Sequence, residues 1–129
     1  MFSMNLRIVE INHIALHVAN VPQSIEFYET KLGLSRLPRP NFDFDGAWFK
    51  LGKNQELHLI EGRTKAVIQG SRATHFALQV VSFQETLQYL QHNQITHQPP
   101  KQRPDGVWQV FLKDPDGYTI ELTEIPSNL

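Results

Sequence analysis

The sequence predicts an α+β fold made of two β-α-β-β modules, on three observations. His13-Ile14-Ala15-Leu16-His17-Val18 recurs as His75-Phe76-Ala77-Leu78-Gln79-Val80, an offset of 62 residues. The helix-start residues Asn20 and Ser82 keep that same offset. Leu57-His58-Leu59 and Ile120-Glu121-Leu122 keep an offset of 63. Alternating run, helix start and alternating run therefore come round twice in the same order. At 129 residues the chain fits one domain, over residues 8–126, made of two small units sharing a core. Module one covers about 8–62 and module two about 72–126. The polar stretch 62–72, with Gly62 and Gly70, connects them.

Residues 11–18 alternate as a strand, with Ile14, Leu16 and Val18 on one face and His13, Ala15 and His17 on the other. Asn20-Val21-Pro22-Gln23 starts a helix: an N-cap Asn, Pro in the first turn and Gln at the capping-box position. Its apolar stripe is Ile25, Tyr28 and Leu32, and Gly33 ends it. Strands follow near 46–51 and 56–61 around a Gly52-Lys53-Asn54 turn, with a further short strand near 35–37. In the second half a strand covers about 74–80. Ser82-Phe83-Gln84-Glu85 caps a helix presenting Phe83, Leu87 and Leu90 and stopping near Asn93. A short strand is expected at 95–98, then a Pro-rich loop. Strands near 107–113 and 118–125 flank Asp114-Pro115-Asp116-Gly117, a strong turn signal.

Composition narrows the function classes. The net charge is −1, with no basic or acidic run, which argues against nucleic acid or an anionic membrane as the main partner. No apolar stretch approaches the roughly 20 residues that span a bilayer. The start, Met1 to Arg7, lacks the apolar region of a signal peptide. Cysteine is absent, so disulfides and protein thiolates are excluded. A cytoplasmic location follows by default. Any metal site must use histidine and carboxylate, and the chain has 6 histidines.

Alternation carries the chemistry. The neighbours of His13, His58, His75 and Glu121 (Ile14, Leu57, Leu59, Phe76, Ile120, Leu122) point to one face of the sheet, and these four to the other. That polar face also carries His17, Gln79, Thr119 and Thr123. It either meets water or, if the sheet curls, lines a cavity. A lone histidine on a half-buried strand is more often structural than a ligand. Here each half delivers two ligand-type side chains at matching places, so His13, His58, His75 and Glu121 are expected to converge on one metal site. Nitrogen and carboxylate donors suit zinc, iron, nickel or cobalt. His17 is expected to line the cavity. His92, near a helix end, and His97, at a loop edge, receive no function.

Several motifs carry a resemblance: Asn12-His13-Ile14-Ala15-Leu16, Ser24-Ile25-Glu26-Phe27-Tyr28 through Leu32-Gly33-Leu34, Thr74-His75-Phe76-Ala77, and Asp114 through Glu121. Over about residues 10–125 the chain resembles the vicinal oxygen chelate superfamily. That group includes glyoxalase I, extradiol dioxygenases, fosfomycin-resistance thiol transferases and bleomycin-binding proteins. The resemblance implies two β-α-β-β-β modules forming an open, curled mixed sheet around a divalent metal, Zn²⁺ or Ni²⁺, or Fe²⁺ in a dioxygenase. It places the ligands at His13, His58, His75 and Glu121. The stretch from Arg39 to Trp48 looks like a glyoxalase-like subgroup.

The departures matter as much. Bacterial glyoxalase I has a carboxylate or amide where this chain has His58, a glutathione-binding Arg where it has His17, and an Asn where it has Gly62. The implied function is a glyoxalase-like lyase or isomerase acting on a small oxygenated molecule by Lewis-acid catalysis. Glu121 is the expected general base, a role worth roughly 10²–10⁴-fold. Arg39, Phe44, Trp48 and His17 are the expected substrate contacts. The alternatives are a ferrous dioxygenase using His13, His75 and Glu121, and a small-molecule or antibiotic-binding resistance protein without turnover. Exposed sheet edges and the family's habit imply a homodimer.

Overall fold

The computed structural model describes residues 4–70 and 72–126. Met1, Phe2 and Ser3, part of the start read above, lie outside them. Module one runs β1 (His13–Val18), α1 (Val21–Ile25) continuing into a π-helical stretch (Glu26–Lys31), β2 (Arg36–Leu37), β3 (Gly46–Lys50) and β4 (Glu56–Glu61). Module two runs β5 (Phe76–Gln79), α2 (Phe83–His92), β6 (Lys101–Gln102), β7 (Trp108–Lys113) and β8 (Thr119–Thr123). The α+β class and the twofold module order are those the sequence predicts. No helix among the described residues is long and apolar enough to cross a membrane.

The strands form two four-stranded sheets with the same order, β1-β4-β3-β2 and β5-β8-β7-β6. In each, the first strand runs parallel to the last strand of its module, and the remaining pairs are antiparallel. The carriers of His58 and Glu121, β4 and β8, are therefore flanked on both sides. His58 lies between Ala15 and Trp48, and Glu121 between Ala77 and Phe111. Each candidate thus has a small side chain on one neighbouring strand and an aromatic one on the other.

Both helices start where the sequence places them. The Asn20 side-chain oxygen accepts the Gln23 N–H at 3.0 Å, and the Ser82 hydroxyl accepts the Glu85 N–H at 3.2 Å. Helix α1 then widens. The Leu32 N–H bonds the Phe27 carbonyl at 2.9 Å, five residues back rather than four. This rotates both Phe27 and Tyr28 into the core, while Ile25 and Leu32 are only partly buried. The expected stripe of Ile25, Tyr28 and Leu32 does pack on the core, and Phe27 joins it there. The short strand expected at 95–98 is corrected. Gln98 gives one N–H to the Phe111 carbonyl, and Pro99 and Pro100, which have no N–H, interrupt the ladder until β6.

The apolar faces of both sheets meet in one core. Leu16, Phe49, Leu57 and Leu59 from the first sheet and Val110, Leu112, Ile120 and Leu122 from the second belong to the same buried cluster, with Phe27, Tyr28 and Leu90 between. By alternation, the polar faces turn away from it.

The Asp114–Gly117 turn fastens module two to module one. Asp114 accepts the N–H groups of Asp116 and Tyr118, both at 2.9 Å, and the Tyr28 hydroxyl at 2.6 Å. Asp116 accepts from Ala19 N–H, the Ser24 hydroxyl and Arg63 Nε at 2.8, 3.2 and 2.8 Å. Burial raises the Asp114 carboxyl above its usual range, against the hydrogen bonds that pull it down. Burial, followed by the charge of Asp114, holds the Tyr28 phenol far above its usual range, so it remains a donor. Tyr28→Phe leaves a buried carboxylate oxygen without its donor. It is expected to destabilise the protein by about 1–3 kcal/mol, read from urea unfolding. An unchanged midpoint would show that this bond does not fasten the modules.

Candidate functional site

Two of the expected ligands meet at the second sheet. His75 Nε2 lies 3.0 Å from Glu121 Oε1, and Gln109 Nε2 donates to Glu121 Oε2 at 3.0 Å. His75 Nδ1 lies 3.0 Å from the Ala73 carbonyl oxygen, which can only accept, so Nδ1 carries a proton. That bond orients the ring and leaves Nε2 aimed at the carboxylate. The Phe111 ring closes the far side, edge to face with His75 at 5.5 Å. Glu121 is only 5% exposed, so its charge sits where every unmade contact is costly.

The other two meet at the first sheet in a different way. The rings of His13 and His58 stack at 4.1 Å and 17°, and His58 stacks on Trp48 at 4.0 Å and 3°. His58 Nε2 contacts Glu56 Oε1 at 2.9 Å, and His13 Nδ1 contacts Asn12 Oδ1 at 2.7 Å. The stack continues into the expected substrate rim. Phe42 lies 6.2 Å from Trp48 and 5.0 Å from Phe44. The Arg39 guanidinium sits 4.9 Å from the centre of each of those phenyl rings and donates to the Phe44 carbonyl at 2.8 Å. Gly46 makes room for it. A Cβ there would collide with the Leu59 carbonyl and come within 3.3 Å of Arg39 Nη2.

His17 stands apart from both pairs. Its carbonyl accepts the Tyr118 hydroxyl at 2.7 Å, and its Nε2 faces Gly62, where an added Cβ would lie 3.3 Å away. Gly62 has φ +99°, which side chains rarely adopt. The two departures from bacterial glyoxalase I, His17 and Gly62, are therefore neighbours in space.

Within one chain the four expected ligands form two pairs on two sheets. Among the described residues no three or more His, Cys, Asp or Glu side chains gather in a metal-holding group. His75 and Glu121 fit a divalent cation by chemistry and support: a nitrogen and a carboxylate oxygen, each held from behind by a hydrogen bond. His13 and His58 fit by donor type. A cation lies in the plane of each imidazole it binds, and two nearly parallel planes do not meet within a Zn–N distance of about 2.0–2.1 Å. At least one of the two rings must turn before they share an ion. Sequence reading missed Gln109, Glu56 and Phe42. Gln109 was detectable, because it shares a face with Phe111 by period two.

The twofold module fold, with His58 and Glu121 on the matching strands β4 and β8, defines a class, and comparison with known proteins names it. The model of the Glyoxalase/Bleomycin resistance protein/Dioxygenase superfamily matches residues 10–122. The chain belongs to this superfamily. It is 30% identical to the lactoylglutathione lyase of Escherichia coli O157:H7, over 87% of this chain and 90% of that one. It is 27% identical to Glyoxylase I 4 of Arabidopsis thaliana, over 95% of this chain and 74% of that one. The crystal structure of a glyoxalase family protein from Enterococcus faecalis matches with a TM-score of 0.73 at 28% identity, over 89% and 97% of the two chains.

The stack at the first sheet is directly measurable. In Trp48→Leu the ring protons of His58 are expected to lose their ring-current shift while those of His75 stay in place in NMR spectra. The variant is expected to lose about 0.5–1.5 kcal/mol beyond the lost buried area. Unmoved His58 resonances contradict the stacked arrangement.

Proposed function

We propose that this protein is a glyoxalase-like metalloenzyme, a lyase or isomerase that acts on a small oxygenated substrate. The observation that carries the reading is the His75–Glu121 pair, its ring oriented by Ala73 and its carboxylate by Gln109. Metal-ligating imidazoles and carboxylates are held by outer hydrogen bonds of this kind. A divalent cation, Zn²⁺ or Ni²⁺, held by His13, His58, His75 and Glu121 would act as a Lewis acid on adjacent substrate oxygens.

The chain's own residues do the rest. Glu121 is the proposed general base, because its Oε1 lies beside His75 Nε2 at 3.0 Å, where the cation and the reacting oxygens would sit, and Gln109 keeps the carboxylate from rotating. Arg39, Phe44 and Trp48 are proposed to hold the substrate's flat or oxygenated portion against the first sheet. His17 with Gly62 occupies the places where bacterial glyoxalase I carries Arg and Asn, which favours a substrate other than a glutathione adduct.

We further propose a homodimer. The two ligand pairs face away from a shared core, so a twofold copy would bring His13 and His58 of one chain to His75 and Glu121 of the other, twice over. Two features favour such a partner. The outer edges of β1 and β5 are unpaired among the described residues. Met4, Leu6, Ile8, Val9 and Ile11, just before β1, are all strongly exposed. We place the enzyme in the cytoplasm by default.

A second reading has its own support. The Trp48–His58–His13 stack with Arg39, Phe42 and Phe44 beside it is also a platform for a flat ligand, as in a binding protein without turnover. Metal analysis of protein purified without an affinity tag separates the two. The enzyme reading expects retained or reloadable metal. It expects near-complete loss in Glu121→Gln and His75→Ala, and about 10–100-fold weaker binding in Gln109→Leu. Protein that holds no metal and takes up none contradicts it and favours the platform. A ferrous dioxygenase would instead show iron as the activating metal and oxygen consumption.

A further inference from the structure

We infer that the cavity beside Lys113 and Thr119 is a subsite for the oxyanion of a small substrate, with Lys113 as its charged anchor. The inference rests on the reading of His75 and Glu121 as the reactive end of the same face. The cavity measures about 370 Å³, and Gln69, Thr96, His97, Phe111, Lys113 and Thr119 are among its walls. That is room for a small metabolite. Among the described residues no carboxylate lines it.

Position ties the cavity to the candidate site. In the antiparallel pairing of β7 and β8, Phe111 stands opposite Glu121 and Lys113 opposite Thr119. These are successive cross-strand pairs on one face, so their backbone positions lie about 7 Å apart at 3.4 Å per residue. Phe111 belongs to both, lining the cavity and meeting the edge of His75 at 5.5 Å. A ligand seated at Lys113 therefore extends along β8 toward Glu121.

The chemistry of the far end suits an anion. Lys113 Nζ donates to the Gln69 carbonyl at 2.7 Å and to the Gly117 carbonyl at 3.3 Å. Two of its three donors are thus fixed by neutral groups, and the third remains for a ligand. No carboxylate pairs with Lys113 among the described residues. The neighbouring Asp114 already serves Tyr28, Asp116 and Tyr118. Thr119 is 2% exposed, and its hydroxyl has no partner among the described residues. A buried hydroxyl left unpaired costs stability, and a ligand oxygen would satisfy it. The substrate class is then a small acid whose carboxylate or phosphate is separated from its reacting oxygens by at least the two-residue spacing of the strand, about 7 Å.

Titration of the full-length protein with acetate, inorganic phosphate and acetamide tests this, followed by calorimetry and by amide NMR at Gln69, Lys113 and Thr119. Acetate or phosphate is expected to saturate and to shift these amides, and neutral acetamide is not. The tighter of the two anions identifies the source of the oxyanion. Lys113→Met is expected to weaken anion binding about tenfold or more. Because Lys113 also holds the Gln69 carbonyl, Thr119→Val is the second variant. It breaks no hydrogen bond of its hydroxyl in the free protein, so its Tm should hold while anion binding weakens. Equal binding of acetamide and acetate, or wild-type anion affinity in both variants, overturns the inference. Anion binding in protein that takes up no metal sinks the enzyme reading and leaves the subsite standing. Metal uptake without discrimination between acetate and acetamide does the reverse.

Discussion

Strand alternation joined to a shared core is the constraint on which the rest of the molecule depends. Leu57 and Leu59 bracket His58, and Ile120 and Leu122 bracket Glu121. All four apolar residues enter the same buried cluster. Once they do, His58 and Glu121 must leave it on the opposite face of each sheet. Everything at the candidate site follows from that exit: the aromatic cover from Trp48 and Phe111, the carboxylate clamp by Gln109, and the separation of the ligand-type side chains into two pairs. The Asp114–Gly117 turn, through Tyr28, Ser24, Ala19 and Arg63, keeps the two modules packed so that both faces remain outward.

Much of this is legible in the sequence. The 62-residue offset located both first strands and both helix caps, because capping by Asn20 and Ser82 is a local matter of one side chain and one N–H. The Asp114–Gly117 turn was legible for the same reason. What escaped was non-local. Residue identity does not show that α1 widens at Phe27 and Tyr28, since that depends on how the helix sits against β3 and β4. The ladder beyond Gln98 depends on where two prolines fall relative to β7. A repeat reports which face a residue takes and how far along the strand it lies. It does not report how two sheets turn relative to each other, so four side chains expected together stand as two pairs.

The two halves have diverged in kind. The first sheet holds a flat stack of Trp48, His58 and His13, with Arg39 beside it on two phenyl rings. The second holds a hydrogen-bonded acid–imidazole pair with a cationic cavity about two residues away along the strand. In the proposed reading, the first half holds a flat or oxygenated group, and the second moves a proton and anchors an anion. Membership in the superfamily explains the frame on which both are hung. The adjacent His17 and Gly62 mark where this chain parts from the glutathione-using pattern, and any substitution at Gly62 meets both an unfavourable φ and the His17 ring.

In the proposed dimer, a complete site takes one ligand pair from each of two copies. Mixing two inactive variants tests it most directly. One carries His13→Ala and His58→Ala, the other His75→Ala and Glu121→Gln. In a mixed dimer, one site would receive all four native ligands and the other none. Neither variant alone is expected to take up metal tightly, and the refolded mixture is expected to recover one tight site per mixed dimer. Wild-type uptake with no recovery in mixtures shown to contain the mixed dimer would contradict it, because each chain would then be completing its own site.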